Sequence, residues 1–142
     1  MTTLFSWGYH GWGNATGAFV RLVDAVEARG FAPPVFVDTR IRRASAVGFQ
    51  GAAFAATVGP DRHVWLQGLG NEAIRTREGG IRISRPDDAA RLLDLGGWPT
   101  RRRVLFFCSC RWPKEDGRVV CHRCVVADLV LNHAAREARP WR

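Results

Sequence analysis

All four cysteines of the chain fall in the stretch 108–124, as Cys108-x-Cys110 followed after ten residues by Cys121-His122-Arg123-Cys124. Residues of these types at this spacing support three chemistries. A cysteine at a helix start beside a histidine and an arginine has its thiolate favoured, the state a nucleophile or redox centre needs. Cys121 and Cys108 are therefore candidate catalytic thiols, with His122 beside them. Two close pairs, Cys108 with Cys110 and Cys121 with Cys124, also supply four thiolates, enough for a closed tetrahedral structural zinc centre. The third chemistry is anion binding, because unpaired N–H groups and the dipole at a helix start favour negative charge, and Arg123 adds a planar fork for phosphate oxygens. A phosphatase-like cradle, with cysteine and arginine a few residues apart in one loop, does not fit: ten residues separate Cys110 from Cys121, and Arg123 lies two past Cys121. The plain alternative is that these cysteines are small buried hydrophobes, which suits Cys108 and Cys124 best.

The elements that must position these groups follow from the apolar pattern. Arg103 to Cys108 (RVLFFC) reads as a buried strand, residues 111–120 as a polar loop, and Cys121 to about Ala138 as a helix. That helix is apolar nearly all round in CVVADLVL and is expected to be well buried. Upstream, Leu4 to Tyr9 reads as a strand breaking into a glycine loop at Gly8, Gly11 and Gly13. Phe19, Leu22, Val23 and Val26 then recur at helical spacing up to a stop at Gly30. After Pro33-Pro34, the unbroken apolar run Val35 to Thr39 reads as a parallel strand, and the stretch Ala44 to Val58 includes a short helix. His63 to Gln67 is a third strand, followed by Gly68-Leu69-Gly70-Asn71. Ile81 and Ile83 alternate with polar residues, as in a hairpin arm or an ordered loop, and Pro86 to Leu95 reads as a helix.

Alternation of this kind predicts a single α/β domain over 1–142, with a mainly parallel sheet of four or slightly more strands flanked by helices. Ligands of such sheets bind outside the strands' carboxyl ends. That edge would gather Tyr9 and His10, Asp38 and Arg40, Gln67 and Asn71, and Cys108 and Cys110 facing the Cys121 helix start. Arg40 and Arg123 would clamp a phosphate, Asp38 would orient Arg40 or accept a ligand hydroxyl, and Tyr9, His10 and Asn71 would line the pocket. The alternative is that Asp38 and Arg40 are structural ions. Trp7 and Trp12 are candidates for stacking on a base, whereas Trp65 reads as a core or cover residue.

Composition limits the classes open to the chain. At 142 residues and 46% hydrophobic content it is long enough to bury a real core, and it holds no apolar run near the roughly 18 residues of a membrane span. No secretory pattern opens it, and clustered cysteines suit a reducing compartment, so a cytoplasmic protein is expected. The net charge of +8 admits an anionic small molecule or nucleic acid as partner. All the basic residues except Lys114 are arginine, a bias that codon usage also produces.

The order of motifs resembles the bacterial domain-of-unknown-function family 488. The matching pieces are Ser6-Trp7-Gly8-Tyr9-His10-Gly11 after the first strand, Asp38-Thr39-Arg40 (Asp-x-Arg), Leu69-Gly70, and a strand ending in Cys108 before Cys121-His122-Arg123 (Cys-His-Arg). The chain departs from the pattern between Arg40 and Ser45, where a proline common in such families is absent. The resemblance implies an α/β fold with a shared pocket and supplies no reaction. The expectation is thus a pocket for an anionic, phosphate-containing ligand, with an activated cysteine if the protein is an enzyme. The alternative is a zinc-stabilised nucleic-acid-binding or regulatory module without catalysis.

Overall fold

The computed structural model describes residues 3–8, 20–21, 34–42, 50–96, 103–108, 110, 114–119 and 121–137. Four strands form one all-parallel sheet: β1 (Thr3–Gly8), β2 (Val35–Asp38), β3 (His63–Trp65) and β4 (Arg103–Cys108), in the order β1-β4-β2-β3. The last strand in sequence thus lies between the first two. Its register sets Gly8 level with Cys108 on one side and Asp38 level with Phe107 on the other. Val35 to Asp38 and Val104 to Cys108 are all buried, which is why both central strands are unbroken apolar runs.

Alternation along β2 and β4 splits the core into two layers. Val35, Val37, Val104 and Phe106 pack with Leu92 and Leu93 of α3 (Ala89–Leu95) and with Val126 and Val130 of α4 (His122–Glu137). Phe36, Leu105 and Phe107 face the other way and pack with Phe54 and Val58 of α1 (Gly51–Val58) and with Val20. Phe54 meets Phe107 edge-on, with ring centroids 4.9 Å apart. Each such fully buried side chain contributes about 1.5–3 kcal/mol. The short helix α2 (Glu72–Thr76) follows β3 on the sheet's carboxyl side. No helix among the described residues is long and apolar enough to cross a membrane.

The α/β class and parallel sheet are as expected, three local readings change, and a fourth, left open between a hairpin arm and a loop, is decided. The third strand stops at Trp65: the Leu66 N–H bonds to the carbonyl of Asp38, and the chain then curls into a 3-10 turn, Gln67–Leu69. Ile81 and Ile83 lie in an ordered loop, tied by one isolated bridge from Ile83 to Asn71. The polar loop before the last helix contains a hairpin, β5 (Lys114–Glu115) with β6 (Arg118–Val119), turned by Asp116 and Gly117 at positive φ. Asp-Gly is the pair that a tight hairpin turn favours. Helix α4 buries one stripe only, since Leu131 is 66% exposed. The first helix is described only at Val20 and Arg21, which are helical, and the rest of that expectation lies outside the described residues.

Candidate functional site

Parallel pairing puts every strand's carboxyl end on one edge, and α4 begins there as well. Cys121 occupies the position just before α4, and its sulfur accepts from the Arg123 N–H at 3.5 Å, the role that an oxygen plays in an ordinary helix cap. The Cys121 carbonyl accepts the Cys124 N–H. Cys108, at the end of β4, has its Sγ 3.1 Å from that of Cys121, and both residues are 1% exposed. Cys110 is partly buried, and the sulfurs of Cys108, Cys110 and Cys121 all lie within 4.8 Å of one another, a group that could hold a metal ion.

His122 turns its ring toward β2. Its Nε2 lies 2.8 Å from the Thr39 carbonyl oxygen and 3.2 Å from Thr39 Oγ1. A carbonyl only accepts, so Nε2 carries a proton. Nδ1 lies 3.8 Å from Cys121 Sγ, placed to share a proton with it. Thr39 itself is held by β4: its N–H and its Oγ1 both donate to the Phe107 carbonyl, at 3.1 and 2.9 Å.

Proton sharing divides the thiols. Hydrogen bonds from Cys108 and then from Cys110 hold Cys121 far below the usual thiol range, and His122 and the Arg123 N–H act in the same direction. Cys108 is pushed well above it by its bonds to Cys110 and Cys121 and by burial. Cys110 is also raised: its bond with Cys108 lowers it, but the bond to Cys121 and burial outweigh that. These directions favour proton loss from Cys121 over loss from either neighbouring sulfur.

The two arginines are committed within the chain. Arg40 is 6% exposed and meets Asp38 as a fork, Nε to Oδ1 at 2.9 Å and Nη2 to Oδ2 at 2.7 Å, with its own N–H on Oδ1 at 3.0 Å. Arg123, 2% exposed, donates from Nη1 to Ser6 Oγ at 3.2 Å and from Nη2 to the Cys110 carbonyl at 2.8 Å. Gly8 lets that carbonyl approach, since a Cβ on residue 8 would overlap the Cys110 oxygen. Asn71 caps α2: its Oδ1 accepts from the N–H groups of Ala73 and Arg82, and its Nδ2 donates to the Gly80 carbonyl. The side chain expected to line a pocket thus has its amide used by backbone. Trp65 covers the edge, its Nε1 donating to the Arg40 carbonyl at 2.8 Å.

Cys108, Cys121, His122 and Thr39 form one contiguous group, with Cys110 and Arg123 attached to it. Cys124 does not join the sulfur cluster, so three sulfurs meet where four were expected. Tyr9, His10 and Trp12 lie outside the described residues. Thr39, Ser6 and Gly8 were not singled out from the sequence as site residues. Thr39 was visible only as the middle of the Asp-x-Arg motif, and Ser6 and Gly8 only within the Ser6-to-Gly11 piece of the family pattern. Compared with family models, with curated proteins and with solved structures, the chain matches none of them.

Proposed function

We propose that the carboxyl edge of the sheet is a thiol-centred active site, with Cys121 as nucleophile, Cys108 as its partner thiol and His122 as the group that shares the nucleophile's proton. The single observation carrying this reading is the 3.1 Å contact between two buried sulfurs at a helix start. A sulfur that accepts a helix N–H and faces an imidazole has its thiolate favoured, and thiolate is the reactive form. Membership in family 488 belongs with this proposal. Its two distinctive motifs lie 83 residues apart and meet in one hydrogen bond, from His122 to Thr39. The anionic, phosphate-bearing ligand read from Arg40 and Arg123 is less well supported, because Asp38 already accepts from the Arg40 guanidinium, and Ser6 and the Cys110 carbonyl from the two terminal nitrogens of Arg123.

The test is the ultraviolet absorbance of the thiolate in reduced, metal-free protein as pH is lowered from 9 to 5. One thiolate persisting below about pH 7 in the wild type and missing in Cys121→Ser supports the reading, since an ordinary thiol near 8.5 is protonated there. Loss of all thiolate signal by about pH 7.5 refutes it.

A second reading rests on the three grouped sulfurs, which are soft ligands for zinc or copper(I). With Zn–S near 2.3 Å, tetrahedral sulfurs sit about 3.8 Å apart, so Cys108 and Cys121 would have to separate by about 0.7 Å. The fourth position would be filled from outside the cluster rather than by Cys124. Elemental analysis of reduced protein decides: about one zinc per chain, lost in Cys110→Ser, supports the metal, and a content near zero excludes it.

A further inference from the structure

The contact between Cys108 and Cys121 joins two kinds of element. Cys108 ends a central strand whose backbone is paired on both sides, and Cys121 sits where α4 starts. Their sulfurs, 3.1 Å apart, need to close by only about 1 Å to reach the bonded distance of a disulfide. The half-buried Cys110 is the cluster's contact with solvent. Both inner residues are 1% exposed, which shuts out a peptide or a bulky disulfide and restricts any oxidant to a small, slim one.

We propose that Cys108 and Cys121 form a peroxide-reducing dithiol, in which Cys121 attacks a small hydroperoxide and Cys108 closes a buried disulfide. The proposal rests on Cys121 being the nucleophile of the site described above, and adds its substrate class and its second thiol.

The chemistry balances in two steps. In the first, the Cys121 sulfur attacks the terminal oxygen of ROOH: an S–O bond forms, the O–O bond breaks, and the alkoxide leaves as ROH with a proton from the neighbouring Cys110 S–H, which solvent then restores. In the second, the Cys108 sulfur attacks the Cys121 sulfenic acid. The S–S bond forms, the S–O bond breaks, and the Cys108 proton leaves with hydroxide as water. Two thiols have lost two electrons and the peroxide has gained them. Return to the dithiol takes two electrons from an external thiol reductant, which becomes a disulfide.

Each sulfur has a defined part. Cys121 carries the helix N–H and the imidazole contact, so it attacks. Cys108 has no such support and lies against the attacking sulfur, so it resolves. Cys110 is the solvent-facing proton donor. His122 is a positioning residue whose ring is set by Thr39.

Reduced, metal-stripped full-length protein is treated anaerobically with one equivalent of hydrogen peroxide, quenched, alkylated and mapped. Tryptic cleavage leaves Cys108 and Cys110 in 104–111, Cys121 in 119–123 and Cys124 in 124–136, and fragmentation separates the first two. The expected product has lost two hydrogens and links 104–111 to 119–123 through Cys108. It forms at least about tenfold faster than free cysteine is oxidised at the same pH. In Cys108→Ser, a 1,3-dione should trap a sulfenic acid on 119–123, and Cys121→Ser should abolish the fast phase.

A link through Cys110 or Cys124, a rate no faster than free cysteine, or faster oxidation by glutathione disulfide than by peroxide would overturn the proposal. The wild-type map is decisive even if a variant fails to fold. A persistent Cys121 thiolate with no fast disulfide leaves the thiol site standing and removes only its peroxide chemistry. A fast disulfide with no low-pH thiolate leaves the Cys108–Cys121 oxidation standing and removes only the low-pH ionisation of Cys121.

Discussion

Replacing Asp38 by alanine separates a structural ion pair from a ligand clamp. Asp38 is fully buried and accepts three hydrogen bonds from Arg40, two from the guanidinium at 2.9 and 2.7 Å and one from the backbone N–H at 3.0 Å. Removing the carboxylate leaves a guanidinium that is 7% exposed without this partner. Breaking a buried pair from one side costs about 3–5 kcal/mol, because the remaining charge is no longer compensated. For a chain of this size each kcal/mol lowers Tm by roughly 4 °C, so a fall of about 12–20 °C is expected. Arg40→Ala should cost a similar amount. The double variant Asp38→Ala/Arg40→Ala should cost less than the sum by at least about 2 kcal/mol, since the stranded charge is removed with its partner. Urea unfolding of the four proteins measures the cycle. If Arg40→Ala changes stability by less than about 0.5 kcal/mol, as a solvent-facing residue would, the internal pair is not what holds Arg40, and the clamp regains its case.

Three further outcomes follow from the same geometry. The cluster's contribution to stability should peak near pH 8.5, the ordinary thiol value. Cys121, held low, stabilises the fold fully above that value and loses the contribution as pH falls. Cys108 and Cys110, held high, contribute below it and lose the contribution as pH rises. In urea titrations of reduced, metal-free protein, Cys121→Ser should flatten the acid limb and Cys108→Ser the alkaline one; identical profiles in all three proteins would contradict the proton sharing. Gly8→Ala should destabilise by about 2–4 kcal/mol, because its Cβ displaces the Cys110 carbonyl and breaks the bond to Arg123. A cost under about 1 kcal/mol would show that β1 yields without disturbing the cluster. Thr39→Val keeps the backbone carbonyl and loses the hydroxyl, so it should cost about 1–2 kcal/mol while His122 retains its Nε2 proton. Nitrogen chemical shifts of the ring report the tautomer, and a switch to the Nδ1 proton would refute the role given to the carbonyl.

Much of the architecture was legible because it depends on local pattern. Buried parallel strands are apolar without interruption, so Val35 to Asp38 and Arg103 to Cys108 stand out with no tertiary information. The strand-to-helix rhythm then requires a carboxyl edge, and with it the meeting of Asp38, Arg40, Cys108 and Cys121. The hairpin at Lys114 to Val119 was signalled by Asp116-Gly117, but its strands are two residues long and carry no periodicity. Leu131 misled because an apolar run has no direction: the packing of α4 on α3 and the sheet decides which stripe is covered.

From the chain's own residues, then, came the α/β class, the edge where chemistry collects and the short list of thiols, because residue type and spacing act over a few turns of backbone. The insertion of β4 between β1 and β2 is decided only in three dimensions. That insertion brings Ser6, Gly8 and Thr39 against Cys110, His122 and Arg123, residues from opposite ends of the chain. It also settles which thiols meet and which partners the buried arginines take. Hydrogen bonds and proton sharing depend on distances of a few ångströms between side chains that sequence spacing does not constrain. For that reason the sequence shows two close pairs of thiols, while the folded chain gathers three of the sulfurs and sets the fourth apart.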